Sequence, residues 1–356
     1  MREGAGRIGP GGIAAGTGGD AGDDENHRKS MKPQVLVSRE VFDETLALLS
    51  AVCEVESNQA DARYSADELV ARLQGKQGAV ISTADRIDAS VLDRCPGLRI
   101  VSNVGVGYNN IDVPACTARG VMATNTPGVL TDSVADYTFG LVIATCRRMT
   151  EGEQHLRSGD WKGSFLKQML GHDVHGATLG IVGMGRIGQT VARRASGFDM
   201  KVIYHNRNRI DAAIEASLRA EYRSLEALLG EADIVVLLTP YSPASHHMIG
   251  AAQLALMRPS AVLINVARGG IVDDAALIEA LAARRIWAAG LDVYENEPAL
   301  DPGFLDLGNV VLSPHLASAS EPTRKAMANT AARNCIAAVT GGVPPNLLNP
   351  ETATAP

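Results

Sequence analysis

The stretch TLGIVGMGRIGQTVARRA, residues 178–195, restricts the chain more than any other. It begins as an apolar, β-forming run and ends as a helix-compatible one. Between the two stand Gly183, Gly185 and Gly188 in G-x-G-x-x-G spacing. That spacing alone carries little weight. Set between a strand and a helix, with a second β-forming run (KVIYH) downstream, it specifies a βαβ unit that binds a dinucleotide. Gly183 permits the tight turn, Gly185 lets a pyrophosphate approach the backbone, and Gly188 lets the helix pack closely on the strand. The unsatisfied amides at the helix start, those of Arg186 and Ile187 among them, suit phosphate.

Such units usually place an acid at the end of the next strand, where it accepts hydrogen bonds from the adenosine ribose. Here KVIYHNRNR supplies Asn206, Arg207 and Arg209. Asn206 does not repel a 2′-phosphate, and the two guanidinium groups can donate charge-assisted bonds to one. The residues therefore predict NADPH/NADP as the preferred cofactor. The alternative is that the arginines are solvated and NADH/NAD is used.

Short apolar runs alternate with helical spacing along most of the chain, the pattern of parallel sheets covered by helices on both faces. VLVS, AVIST, LRIVSN and VMATN are strand candidates in a first series. TLGIVG, KVIYHN, DIVVLLT, AVLINVA, AAGLDV and NVVLSPH form a second. The 356 residues suffice for two such units. TDSVADYTFGLVIATCRR reads as a long helix between them that Thr131 or Asp132 can cap. SEPTRKAMANTAARNCIAAVTGG reads as a second, with Pro322 near its start. Both helices are expected to cross between the units.

The remaining features mostly exclude. A formal net charge of −7 argues against a nucleic-acid partner. No apolar run approaches the roughly 20 residues that span a bilayer, so no membrane association and a cytoplasmic location are expected. The five cysteines are scattered and form no CxxC pair, as in reduced core thiols. His172 and His175 lack acidic or thiol companions, so no metal site is expected. The first residues are rich in Gly and Asp and too poor in apolar groups to order themselves. Met31, opening MKPQVLVS, is then a candidate initiator.

Three further segments each place a charged or titratable residue just after a strand: ARGGIVDDAAL with Arg268, AGLDVYENEP with Glu297, and NVVLSPHLASAS with His315. Ligands of open α/β sheets bind at those strand ends. Asp273 and Asp274 read as caps of the helix that follows them rather than as reacting groups.

Together with VGVGYNNIDV and NTPGVLTDSVADYTFGLVIA, these segments resemble, in order, the signatures of the D-isomer-specific 2-hydroxyacid dehydrogenase family. The resemblance runs from about residue 35 to 349. It implies α/β architecture with two Rossmann-like, doubly wound parallel-sheet domains. A nucleotide-binding domain (131–315) would be inserted into a flavodoxin-like substrate domain (33–130 and 316–349), with 1–32 a disordered tail. It also implies a homodimer built through the nucleotide domains.

The family's catalytic arginine, glutamate and histidine match Arg268, Glu297 and His315. The chemistry fits. A planar guanidinium suits a 2-oxo acid's carboxylate and carbonyl. A histidine can protonate the carbonyl oxygen as hydride arrives, and a carboxylate orients the imidazole and favours its charged form. Val104, Gly105 and Val106 resemble the carboxylate-binding loop. Thr131, Thr239, Pro240, Ala267 and Asp292 are carried over as cofactor contacts, Asp292 with a purely structural alternative. Ala317 departs from the glycine usual after SPHL.

Within the family, GHDVHGATLGIVGMGRIGQ and VIYHNRNR are most similar to bacterial glyoxylate/hydroxypyruvate reductases, also called 2-ketogluconate reductases, which favour NADPH. The implied reaction is reduction of a small 2-oxo acid to its D-2-hydroxy acid. The alternatives are an NAD-dependent dehydrogenase of another substrate, such as 3-phosphoglycerate, or a dinucleotide-sensing corepressor. Glu297 and the SPH loop disfavour formate dehydrogenase.

Overall fold

The computed structural model describes residues 32–354, so the glycine-rich tail and Met31 lie outside the described residues. The first strands are β1 (Gln34–Val37), β2 (Glu54–Ser57), β3 (Gly78–Ile81), β4 (Ile100–Asn103) and β5 (Met122–Thr124). Helices α1 (Asp43–Ser50), α2 (Ala66–Leu73), α3 (Ala89–Arg94) and α4 (Val113–Ala118) connect them. They form a five-stranded sheet in the order β2-β1-β3-β4-β5, every neighbouring pair parallel. This is the flavodoxin order.

Helices α5 (Thr131–Cys146) and α6 (Met149–Arg157) lead to the second series of strands. These are β6 (Thr178–Val182), β7 (Lys201–His205), β8 (Ala220–Tyr222), β9 (Ile234–Leu237), β10 (Val262–Asn265), β11 (Ala288–Leu291) and β12 (Val310–Leu312). The intervening helices are α7 (Arg186–Ala195), α8 (Ala212–Leu218), α9 (Leu225–Glu231), α10 (Ala251–Leu256) and α11 (Asp274–Ala282). The seven strands are all parallel, in the order β12-β11-β10-β9-β6-β7-β8. The order reverses direction between β6 and β9. That is the switch point at which a doubly wound sheet opens a crevice.

The central strands form where apolar runs leave no polar face. Every residue of β3, β4, β9, β10 and β11 is buried. Each large aliphatic side chain so buried contributes about 1.5–3 kcal/mol. Two strands, β2 and β8, escape the sequence reading. Both are sheet edges, and their sequences EVES and AEY lack an apolar run because one side meets solvent.

Helix α5 packs on β10, β11 and β12 and on α7, to which Arg194 ties it through Asp136 at 2.7 Å and Asp132 at 3.2 Å. The long C-terminal helix α12 (Glu321–Val339) packs instead on α1, β3 and β4 of the first sheet. Pro322 stands in its first turn. Among the described residues no disulfide forms, and all five cysteines are buried. Among the described residues no helix is long and apolar enough to cross a membrane.

Candidate active site

On the dinucleotide side, β6 is followed directly by Gly183, whose φ of +108° few side-chain-bearing residues adopt. A Cβ there would also stand 2.6 Å from the backbone of Leu238 and Thr239, across the switch point. A Cβ on Gly188 would lie 2.3 Å from the Gly183 carbonyl oxygen, so helix and strand touch through these two residues. Gly185 caps α7 with no side-chain hydrogen bond, and a Cβ on it would meet open space. The first amides of α7, those of Arg186 and Ile187, are therefore not covered by a cap side chain and suit a pyrophosphate. Thr239 and Pro240 follow β9 on the other side of the switch point.

At the end of β7, Asn206 accepts the Met184 N–H at 2.7 Å through Oδ1, which leaves its amide nitrogen as the group it can offer a ligand. Arg207 is exposed and has no ion-pair partner among the described residues. Arg209 differs. Its Nε and one terminal nitrogen each lie 2.7 Å from the two oxygens of Glu215, and Tyr204 donates to the same carboxylate. Arg209, first, and then Tyr204 hold the Glu215 carboxyl at about 2, far below the usual range.

The three strand-end residues of the second sheet come together. His315 Nδ1 lies 2.8 Å from Glu297 Oε2, and the other Glu297 oxygen accepts the Tyr294 N–H at 2.9 Å. Burial alone raises the Glu297 carboxyl. The His315 hydrogen bond and charge, the Tyr294 amide and the Arg268 charge outweigh that, and the net shift is downward. Arg268 donates to the Ala267 carbonyl at 2.7 Å. Burial lowers its pKa and the Glu297 charge offsets part of that.

The guanidinium of Arg268 lies over the turn that follows β4 in the first sheet. A Cβ on Gly107 would stand 1.9 Å from its terminal nitrogen. In that turn the carbonyls are all occupied. Gly105 O accepts from Thr126 N–H, Val106 O from Asn125, and Gly107 O from Asn103. Val104, expected to offer a free amide here, instead donates it to the Ile81 carbonyl at 2.8 Å, continuing the sheet pairing, whereas the amides of Gly105, Val106 and Gly107 meet no acceptor among the described residues. Successive unpaired amides beside a guanidinium form a concavity for an anion.

The structure gives several of the expected residues specific contacts. Asp292 is fully buried. Its oxygens accept from Ser313 Oγ at 2.6 Å, Leu316 N–H at 2.7 Å and Ala317 N–H at 2.9 Å, so it clamps the loop that carries His315. Neither Thr131 nor Asp132 caps α5. The cap position is Leu130, without a side-chain bond, because Asp132 turns to Arg194. Asp273 does cap α11, whereas Asp274 accepts the Glu295 amide. The extra methyl of Ala317 is buried against Leu130, Val134 and Met327.

Gly107 and Gly269 went unread in the sequence. A Cβ on Gly269 would stand 1.6 Å from the Tyr294 carbonyl, so the Arg268 loop and the Glu297 loop pack backbone to backbone. Both lie inside quoted segments, VGVGYNNIDV and ARGGIVDDAAL, but nothing in the sequence says what each touches. Among the described residues, a cavity of about 270 Å³ lined by Arg148, Trp287 and Asn309 sits at the opposite, amino ends of β11 and β12. It belongs to other chemistry or none.

Known proteins resemble this chain in sequence and fold. The family description "D-isomer specific 2-hydroxyacid dehydrogenase, NAD binding domain" matches residues 139–317. A glyoxylate reductase of Thermococcus gammatolerans is 45% identical over 325 residues, 90% of this chain and 97% of that one. Another, from Korarchaeum cryptofilum, is 46% identical over 323 residues, 90% and 97% of the two chains. Among solved structures, an NADPH-dependent glyoxylate/hydroxypyruvate reductase of Sinorhizobium meliloti, in complex with NADP and malonate, superposes with a TM-score of 0.81. It shares 35% identity and covers 90% of this chain and 98% of its own.

Proposed function

The chain belongs to the D-isomer-specific 2-hydroxyacid dehydrogenases, NAD(P)-dependent oxidoreductases, and on that footing we propose that it reduces a small 2-oxo acid to the D-2-hydroxy acid with NADPH as preferred donor. Glyoxylate, hydroxypyruvate and 2-ketogluconate are the candidate substrates. The observation that carries the reading is the 2.8 Å contact of His315 with Glu297, beside the Arg268 guanidinium.

A nicotinamide bound at this site would supply hydride chemistry at the carbonyl carbon. The protein's residues do the rest. The unpaired amides of 105–107 and the Arg268 fork take the carboxylate and align the carbonyl. Glu297 holds His315 by Nδ1, so Nε2 is the nitrogen left to deliver a proton to the carbonyl oxygen as negative charge develops there. Gly183, Gly185, Gly188 and the amides of Arg186 and Ile187 suit the pyrophosphate. Thr131, Thr239, Pro240 and Ala267 would be further cofactor contacts, and Asp292 acts by fixing the His315 loop.

For the cofactor, Arg207 and the Asn206 amide nitrogen are the groups available to a 2′-phosphate. The Arg209–Glu215 fork favours a second reading, in which one free arginine discriminates weakly and NADH serves nearly as well. Steady-state turnover of both cofactors with a panel of 2-oxo acids decides between these readings. Turnover of none of the acids by either cofactor would sink both and leave a dinucleotide-sensing role.

The same reading includes a substrate domain of 33–130 and 316–349 around a nucleotide domain of 131–315, a cytoplasmic location and a homodimer. In support of the dimer, α6 buries no residue, and Met149, Leu156, Trp161, Phe165, Leu166 and Leu170 are all exposed, Leu166 to 94%. So many exposed apolar groups in one segment suit coverage by a second copy. Sedimentation of Leu166→Asp is expected to give a smaller species than wild type, and identical sedimentation as a monomer would refute the dimer.

A further inference from the structure

His315 adopts a left-handed backbone, φ +56°, which a side-chain-bearing residue keeps only where its surroundings over-determine it. Those surroundings converge on Ser313. Its side chain donates to Asp292 at 2.6 Å and meets the hydroxyl of Tyr137. Its amide is shared between the Leu291 carbonyl and the Tyr294 hydroxyl, each at 2.9 Å. Its carbonyl accepts from His315 N–H at 3.1 Å and lies 2.9 Å from the Tyr294 hydroxyl. That hydroxyl is also 3.1 Å from the Leu291 carbonyl, so its one proton has two acceptors.

The other end of Tyr294 reaches the partner of His315. Its backbone amide donates to Glu297 Oε1 at 2.9 Å, while Glu297 Oε2 holds the imidazole. The ring is buried and packs edge-on against Phe304. One rigid, apolar body thus links the two strand ends that carry the pair, β11 through its own backbone and β12 through its hydroxyl. We propose that Tyr294 is a positioning residue for proton transfer, its amide fixing Glu297 and its hydroxyl fixing the Ser313–His315 segment, so that one buried ring sets the separation of the pair. The inference rests on reading His315 and Glu297 as the proton-donating pair. Burial, first, and neighbouring carboxylates push the Tyr294 hydroxyl up to about 12. It therefore stays a donor throughout the neutral range.

Tyr294→Phe removes the hydroxyl and keeps the ring. The full-length protein is compared with Glu297→Gln and with the double variant. With NADPH and a reducible 2-oxo acid, Tyr294→Phe is expected to lower kcat about tenfold to a hundredfold, the range a misplaced reacting group produces. KM for both substrates should stay within about twofold. The double variant should fall no further than Glu297→Gln, because both changes act through one pair. Wild-type kcat in Tyr294→Phe, or losses that multiply in the double variant, would overturn the proposal. So would a Tyr294→Phe protein that no longer folds or binds NADPH, since the hydroxyl would then belong to the fold. If Glu297→Gln itself turns over like wild type, the reading of the pair fails instead, whatever Tyr294 does.

Discussion

Two of the glycine-bearing turns at the carboxyl ends of parallel strands, one after β4 and one after β6, need glycine for different reasons. After β6 the demand is local. Gly183 has a φ of +108°, and it meets the backbone of Leu238 and Thr239 while Gly188 meets Gly183 itself. After β4 no residue of the turn has a positive φ, and the clash a Cβ on Gly107 would make is with the end of Arg268, carried by the other sheet. The first kind of glycine belongs to a supersecondary unit and recurs at fixed spacing. The second belongs to a meeting of two domains and leaves no spacing to read.

The sharpest way to break this contrast is to put a methyl in each turn. Gly183→Ala combines backbone strain of about 1–3 kcal/mol with overpacking against unyielding backbone of about 1–3 kcal/mol. It should lower Tm by several degrees and abolish NADPH binding. Gly107→Ala incurs no such strain, because Arg268 can swing away. Its Tm and NADPH affinity should match wild type while 2-oxo acid turnover falls roughly a hundredfold. If calorimetry shows Gly107→Ala unfolding as early as Gly183→Ala, the two turns are alike and the contrast is lost.

Arg268→Lys sharpens the same point from the other side. A lysine makes room beneath it but cannot form two parallel bonds to a carboxylate. Turnover should fall about tenfold to a hundredfold, as for a lost charge-assisted bond of about 1.5–3 kcal/mol. Adding Gly107→Ala to Arg268→Lys should cost little more, since the crowded guanidinium is already gone. Kinetics of the double variant that multiply the two losses would mean the turn acts independently of Arg268.

The same division governs what could be read from the sequence. Central strands were legible as apolar runs because both faces are buried. The edge strands β5 and β12 keep apolar runs, while the edge strands β2 and β8 were not legible because exposed Glu54 and Glu221 break theirs. The dinucleotide turn was legible because its constraints are local. The side chains of Arg268, Glu297 and His315 were legible from motifs at strand ends. What holds them was not. The Tyr294 hydroxyl, the Asp292 clamp and the room beneath Arg268 join residues from different strands or sheets, and no periodicity records such a meeting. For the same reason Arg207 and Arg209 looked equivalent in sequence, though only one is engaged by a carboxylate.

That pair extends the comparison within one loop. Arg207→Ala should raise KM for NADPH about tenfold, the equivalent of a lost charge-assisted bond of about 1.5 kcal/mol, and leave KM for NADH unchanged. Arg209→Ala should change the NADPH-to-NADH ratio much less and lower Tm instead, because it leaves the Glu215 carboxylate with only the Tyr204 hydroxyl. Equal effects of the two substitutions on the ratio would show that both arginines read the phosphate.

The smallest effect follows from Glu215. Its carboxyl is held at about 2 by Arg209 and then by Tyr204. The unfolded chain returns it to about 4.3. A carboxyl depressed in the folded state stabilises the protein fully above the unfolded value and loses that contribution as pH falls through the folded one. Glu215→Gln keeps most of the shape and removes the charge. It should lower Tm near neutral pH by roughly 2 °C, because Arg209 is largely exposed and solvent screens the pair. The gap between the two proteins should then narrow as pH falls below about 4.3 and be about half closed by pH 3. High salt should shrink it at neutral pH as well. A gap that stays constant down to pH 3 would mean the carboxylate–arginine fork contributes nothing to stability. The same variant also tests which arginine faces the cofactor. Removing a negative charge that holds Arg209 should leave KM for NADPH within about twofold if Arg207 does the discriminating. A large gain in NADPH affinity would mean that Glu215 had been competing with the 2′-phosphate for Arg209.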